Sequence, residues 1–150
     1  MLRALILLLL SSGFASAADV ISPVGVWRTI DDKTGAARGL VRIYEQDGKF
    51  YGLIEGSLTP NPKTTCTACT DDRKDKPMKG LVIIRGMVKH GDEYTDGDIL
   101  DPDSGTVYRC SFHLEDNGTK LAVRGYVGVA LLGRTQTWLR DVTPAASPAR

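Results

Sequence analysis

The chain has 150 residues, 19 basic and 18 acidic side chains, a formal charge of +1 and 42% hydrophobic content. That length and composition suit one domain with its own core. The near-balance of charge, with no basic stripe, excludes the electrostatic footprint of a nucleic-acid binder, and two histidines leave little material for His-based catalysis.

The chain begins "MLRALILLLLSSGFASA". Arg3 precedes an apolar run from Ala4 to Leu10, and Ala15-Ser16-Ala17 closes it with a small-x-small pattern. These are the three parts of a secretory signal peptide, so cleavage is expected after Ala17. The apolar run falls far short of the roughly 20 residues that a spanning helix needs, and no later run reaches that length. The mature chain is therefore expected to be exported, periplasmic or secreted, with no transmembrane segment after cleavage. It goes to a compartment where disulfides persist. Losing Arg3 leaves 18 basic against 18 acidic residues. Residues 18–143 are expected to form one domain, and the small, polar residues 144–150 a disordered tail.

Fifteen of the sixteen glycines and all seven prolines punctuate the mature chain. The first strand is expected at Gly25–Ile30, ending at the turn Asp31–Gly35. The second and third, Gly39–Glu45 and Lys49–Gly56, flank Asp47-Gly48, a dipeptide that tolerates the positive φ of a tight hairpin. A long polar connection leads to the fourth at Gly80–Val88. The fifth, Glu93–Leu100, and sixth, Thr106–Glu115, flank Asp101–Gly105. The seventh, Lys120–Val127, follows Asn117-Gly118, and the eighth is Arg134–Arg140. None shows a helical period. In the sixth, Tyr108, Cys110, Phe112 and Leu114 share one face while Arg109, Ser111 and His113 share the other, the mark of a half-buried antiparallel strand. Eight short strands with mostly short connections predict an all-β fold, an eight-stranded antiparallel up-and-down barrel that closes on itself and so removes its edges. A two-sheet sandwich is the structural rival.

In a meander, alternate connections share an end. Counting from the Trp27 end, the connections at that end are Gln46–Gly48, Lys89–Asp92 and Asp116–Gly118. The other end carries Asp31–Arg38, Ser57–Lys79, Asp101–Gly105 and Gly128–Gly133, which are longer and include the apolar "GVALLG". A binding site is expected on that rim.

"TTCTACTDDRKDKP" (64–77) holds Cys66 and Cys69 in a run too polar for core. A thioredoxin-like pair needs a helix N-terminus and an alternation of strands and helices; here neither is present, and the acidic neighbours disfavour a thiolate. A structural zinc needs four ligands; Cys110 and His113 lie on opposite faces of their strand, and no second Cys-x-x-Cys exists. A local Cys66–Cys69 disulfide that pins the loop is the expected state. The open alternative pairs one of the two with Cys110, which otherwise reads as a buried free thiol.

The carboxylates Asp31, Asp32, Asp101 and Asp103 all fall on the expected open rim. They could bind calcium or act as an acid/base pair, but Asp at turn starts accounts for them. Asn117-Gly118-Thr119 is a glycosylation acceptor in form and a hairpin turn in context. Arg134, Gln136, Trp138 and Arg140 share a strand face; an outer barrel surface with Trp138 half covered is expected, a polar recognition stripe being the alternative. Arg28, Arg42, Arg85, Arg109 and Arg124 are expected on the outer face, solvated or ion-paired.

The motifs carry a resemblance. "GVW" at Gly25–Trp27 resembles the Gly-x-Trp that opens the first strand of lipocalins. That resemblance implies that Trp27 plugs the closed end and that Arg140 lies across it in a cation–π contact of roughly 1 kcal/mol. The ordered set "GVWRTIDDKTG", "IYEQDGKFYG", "CTAC", "DKPMKG", "GDILDPDSGTVYRC" and "VRGYVGVALLGRTQTW" is similar to the exported bacterial family called domain of unknown function 2147, which implies a lipocalin-like barrel and brings no activity or site residues. The expected function is a binding module holding a small, partly apolar or amphipathic ligand at the open end. Phe50, Ile54, Tyr108, Phe112 and Val123 are expected to line it, with Leu131 and Leu132 on the rim. The alternative is an envelope structural or interaction protein with a filled core and no ligand. No catalytic residues, cofactor or metal are expected.

Overall fold

The computed structural model describes residues 21–143. The expected leader and the expected tail lie outside the described residues. The chain forms β1 (Gly25–Ile30), β2 (Ala37–Gln46), β3 (Lys49–Ser57), β4 (Val82–His90), β5 (Glu93–Asp101), β6 (Thr106–Glu115), β7 (Lys120–Tyr126) and β8 (Arg134–Arg140). Each strand pairs antiparallel with the next, and β8 returns to β1 to close an all-β, up-and-down barrel. The expected fold class is the observed one. The hairpin expected at Asp47-Gly48 has both residues at positive φ, 52° and 74°, the geometry that a two-residue connection between twisted strands requires. β4 starts two residues later than expected, because Gly80 adopts φ 85° in a turn and its N–H donates to the Ile54 carbonyl.

Period-two alternation sorts the side chains. Trp27, Val41, Ile43, Phe50, Ile84, Met87, Tyr94, Cys110, Phe112, Leu121, Val123 and Trp138 are buried in one core. Phe50 meets Tyr94 edge to face and Tyr94 stacks on Phe112, each pair with centroids 4.8 Å apart. Such pairs add roughly 0.5–1.5 kcal/mol to the burial itself. Among the register shifts of the barrel, two coincide with positive φ on a neighbouring strand or within the shift itself. The register shifts between Phe50 and Gly52 on β3–β4 and between Tyr94 and Gly97 on β5–β6, where Gly86 and Asp96 take positive φ. Bulges increase local twist and help a sheet curl. At Gly97 the Met87 sulfur and the Arg85 carbonyl fill the space that a Cβ would need.

The β8 face differs from expectation. Leu121 pairs with Trp138 and Val123 with Gln136, so the stripe of Arg134, Gln136, Trp138 and Arg140 follows the inward face of β7. Trp138 is only 2% exposed, and its Nε1–H donates to Gln136 Oε1 at 3.2 Å. Alternation alone groups these four side chains; only the register against β7 says which way they face.

The long connection between β3 and β4 also differs. Cys66 and Cys69 form the local disulfide, and Cys110 stays free and buried. Burial pushes the Cys110 thiol up to about 12. The paired cysteines, however, are buried as deeply as the barrel core. Ile84 faces inward against Ile99, so Ile83 and Arg85 face outward on β4, and Leu100 faces outward on β5. Ile83 and Leu100 are nonetheless buried. The loop covers this outer face. Arg85 is held by two bonds to Asp72, and the buried Arg73 donates to the Val82 carbonyl and to Asp71. Gly105, at φ 75°, lets the Ala68 carbonyl approach where a Cβ would stand. A run too polar for a core by composition thus buries its two sulfurs and pairs Asp71 with Arg73, Asp72 with Arg85 and Lys74 with Asp75.

Candidate functional site

The two ends of the barrel are chemically distinct. At the base, Trp27 is fully buried and its Nε1–H donates to the Pro23 carbonyl at 2.8 Å. The Arg140 guanidinium lies over the ring, 4.3 Å from its centroid. Arg140 donates to the carbonyls of Gly118 and Ser22 at 2.6 Å and of Val24 at 3.0 Å. Residues 21–24 are thereby strapped across the base. Desolvation lowers the pKa of Arg140; three carbonyls, the planar fork and the indole face hold the charge in place of a carboxylate. The roles that the resemblance implied for Trp27 and Arg140 match this geometry.

At the opposite end the interior loosens. Ile54, Ile99, Tyr108 and Gln136 continue the inward faces of β3, β5, β6 and β8, yet each is half-buried. Gly125 faces Tyr108 and Ile99 without a side chain of its own. Pairing between β1 and β8 covers only Trp27 with Arg140 and Arg28 with Leu139. Above these pairs Thr29, half-buried and inward, and Gln136 lie beside an unpaired seam. An ion pair between Asp32 and Arg134 ties the loop after β1 to the start of β8. These half-buried residues define the open end, termed the bowl: Cys110 and Val123 follow on the same inward faces toward the base, the lining is aliphatic and phenolic, and one amide and one hydroxyl stand at the seam.

The rim carboxylates are engaged in turns and pairs. Asp31 accepts the N–H groups of Lys33 and Thr34, and those bonds, the Thr34 one first, lower its pKa. Asp101 accepts from Asp103 N–H and Ser104 Oγ. Asp103 pairs with Arg38 and Lys63. The Arg134 hydrogen bond lowers Asp32. Carboxylates each held by separate partners are poor material for a shared-proton dyad. Among the described residues no three of His, Cys, Asp and Glu converge as metal ligands.

The seven residues expected at a ligand site are distributed along the barrel. Ile54 and Tyr108 reach the bowl. Phe112 and Val123 are fully buried beneath it. Phe50 lies just after the Asp47-Gly48 hairpin, at the base, against Tyr94. Leu131 and Leu132 stand exposed beyond the rim. The sequence reading did not single out Thr29, Ile99 or Gln136 as lining groups. The inward parity of Thr29 follows from Trp27 on the same strand, whereas that of Ile99 and Gln136 needed the register of β4 with β5 and of β7 with β8. Two surface clefts open elsewhere. One, of about 300 Å3, lies between the disulfide loop and β4 and is lined by Arg73, Lys76, Lys79, Leu81 and Arg85. The other, of about 270 Å3, lies at the base among Ile21, Glu45, Phe50, Lys89 and Tyr94.

No curated protein sequence matches the chain. Among solved structures, the chain is similar to protein HP1028 of Helicobacter pylori, described as belonging to the lipocalin family. The two share 20% identity and a TM-score of 0.71, over 81% of this chain and 84% of that one. At that identity the likeness speaks for the fold. No helix among the described residues is long and apolar enough to cross a membrane. Residues 25–140, the whole barrel from the start of β1 to the end of β8, match the family model described as an uncharacterized protein conserved in bacteria (DUF2147), and the chain belongs to that family.

Proposed function

We propose that this protein is an exported binding module that takes a small, partly apolar ligand into the bowl opposite Trp27. The observation that carries the reading is the change in burial along one continuous inward surface. Phe112, Leu121 and Trp138 are sealed, while Ile54, Ile99, Tyr108 and Gln136, on the same faces, remain half-open. A half-covered apolar wall with one or two polar groups is the usual composition of a small-molecule site. Thr29 and Gln136 would orient a polar head, and Ile54, Ile99 and Tyr108 would cover an apolar body. Export is supported by the leader-like first seventeen residues and by the disulfide. No step of bond-making chemistry is assigned.

Titration with an apolar fluorescent probe such as anilinonaphthalene sulfonate, displaced by a medium-chain fatty acid, tests the site. Saturable binding is expected, weakened at least about tenfold by Tyr108→Asp, in line with loss of one buried aromatic contact. Absence of saturable binding, or binding indifferent to Tyr108→Asp and Ile54→Asp, rejects the bowl.

A second reading has its own support. The Phe50–Tyr94–Phe112 stack and the two buried tryptophans fill the lower barrel. They favour a filled-core interaction protein that acts through its surface. Native mass spectrometry of protein purified from its own host separates the two: a retained small molecule supports the first reading, a bare chain in complex with another protein the second.

A further inference from the structure

The connection between β7 and β8 carries four large aliphatic side chains in six residues. Val127, Val129, Leu131 and Leu132 are 64%, 59%, 90% and 79% exposed. Gly128 takes φ 74°, and Leu132 N–H donates to the Val129 carbonyl at 3.1 Å. This folds the segment into one tight turn whose aliphatic groups bury little of each other. Single exposed leucines are ordinary, but a contiguous cluster marks a surface that meets something.

We propose that residues 127–132 are an aliphatic prong that inserts into the interfacial layer of a lipid bilayer. Size argues for this occupant. The tip can bury at most a few hundred Å2, well below the roughly 800 Å2 per partner of a stable protein interface. A bilayer accepts a few aliphatic side chains without a complementary surface. Charge argues the same way. Around the prong Arg134 is paired with Asp32, Arg38 with Asp31 and Asp103, and Lys63 with Asp103. Arg124 donates to Thr135. The collar therefore approaches a low-dielectric medium with these cations partnered, which limits the cost of desolvating them. The prong shares the end opposite the Trp27 base, so insertion turns the bowl toward the membrane. The proposal stands whether or not that bowl holds a ligand.

The test compares the full chain with its Leu131→Asp/Leu132→Asp variant by flotation on phosphatidylcholine vesicles and on vesicles containing phosphatidylglycerol. Both chains share residues 1–20, so any contribution from that segment cancels in the difference. At least about tenfold weaker partition of the variant is expected on both vesicle types, since each buried leucine contributes of that order. Salt should matter little on phosphatidylcholine. Separately, Leu132→Cys carrying an environment-sensitive dye should shift to the blue on vesicles and be quenched by lipids brominated near the headgroup end of the acyl chain. The buried Cys110 keeps the labelling specific. Matching thermal unfolding of the two chains shows that the comparison is between folded proteins. Equal flotation, an unshifted dye, or a loss confined to phosphatidylglycerol vesicles, which reports charge repulsion alone, overturns the proposal. A concentration-dependent dimer abolished by the aspartates, without vesicle binding, reassigns the prong to a second copy of the chain.

Discussion

At the base Trp27 is fully buried, its indole N–H is bonded, and Arg140 binds three separate carbonyls around it. At the other end Ile54, Ile99, Tyr108 and Gln136 face the same interior and stay half-open, beside a seam where β1 and β8 have parted. One polypeptide wall thus ends in a plug and in a bowl. The difference teaches where the barrel is sealed and where its inner surface stays open. A sealed end holds the strands in register, and a loosely filled end keeps apolar surface available.

The largest test of this contrast is Trp27→Ala. It is expected to cost about 4 kcal/mol, the usual range for emptying a buried aromatic site, measured by urea denaturation. Tyr108→Ala at the open end should cost about 1 kcal/mol or less under the same assay, because much of its surface is already wet. Equal costs at the two positions would break the comparison.

Arg140→Ala comes next, at about 2 kcal/mol, since carbonyls and an indole lose a charged donor together. Arg140→Lys should recover only part of that, because a single ammonium cannot reproduce the fork. Full recovery by lysine, read from the same denaturation curves, would mean that charge alone closes the base.

The disulfide loop sharpens the contrast from outside the barrel. Cys66→Ser/Cys69→Ser is expected to cost about 2 kcal/mol or less, the low end for so short a ring. Hydrogen exchange should rise across residues 58–81 and remain slow in β6 and β7. Exchange rising uniformly through the barrel would show that the loop is part of one cooperative unit with it.

The smallest effect is a pH dependence in the same loop. The Arg73 side chain foremost, and then its backbone N–H, hold Asp71 down at about 2, below the usual 3.8. A depressed carboxylate stabilises the fold above its unfolded value, and that contribution fades as pH falls from 3.8 through about 2. Loop proteolysis by an acid-active protease should therefore increase across that window in the native chain, and Asp71→Asn should flatten the dependence.

Eight strands, their order and the hairpin at Asp47-Gly48 were legible because a period of two and the turn residues are local properties. The Cys66–Cys69 bond was legible from the short spacing and from the lack of a thioredoxin-like or zinc context. The inward face of β8 was not: Arg134, Gln136, Trp138 and Arg140 alternate with Thr135, Thr137 and Leu139, and either set could have faced the core until the register against Leu121 and Val123 was fixed. The burial of the disulfide loop was hidden for a related reason. Its charges read as solvent-facing one at a time, and only their pairing, Asp71 with Arg73 and Asp72 with Arg85, allows the segment to lie on Ile83 and Leu100.

The sequence by itself determined that this chain is a run of eight short strands joined mostly by tight turns, because alternation and turn chemistry act over a few residues at a time. The tertiary structure decided how deeply each inward residue is covered, which face of β8 is the inside and where the aliphatic turn stands clear of the wall. Those properties depend on strands brought together from distant parts of the chain, and register and curvature exist only once the barrel has closed.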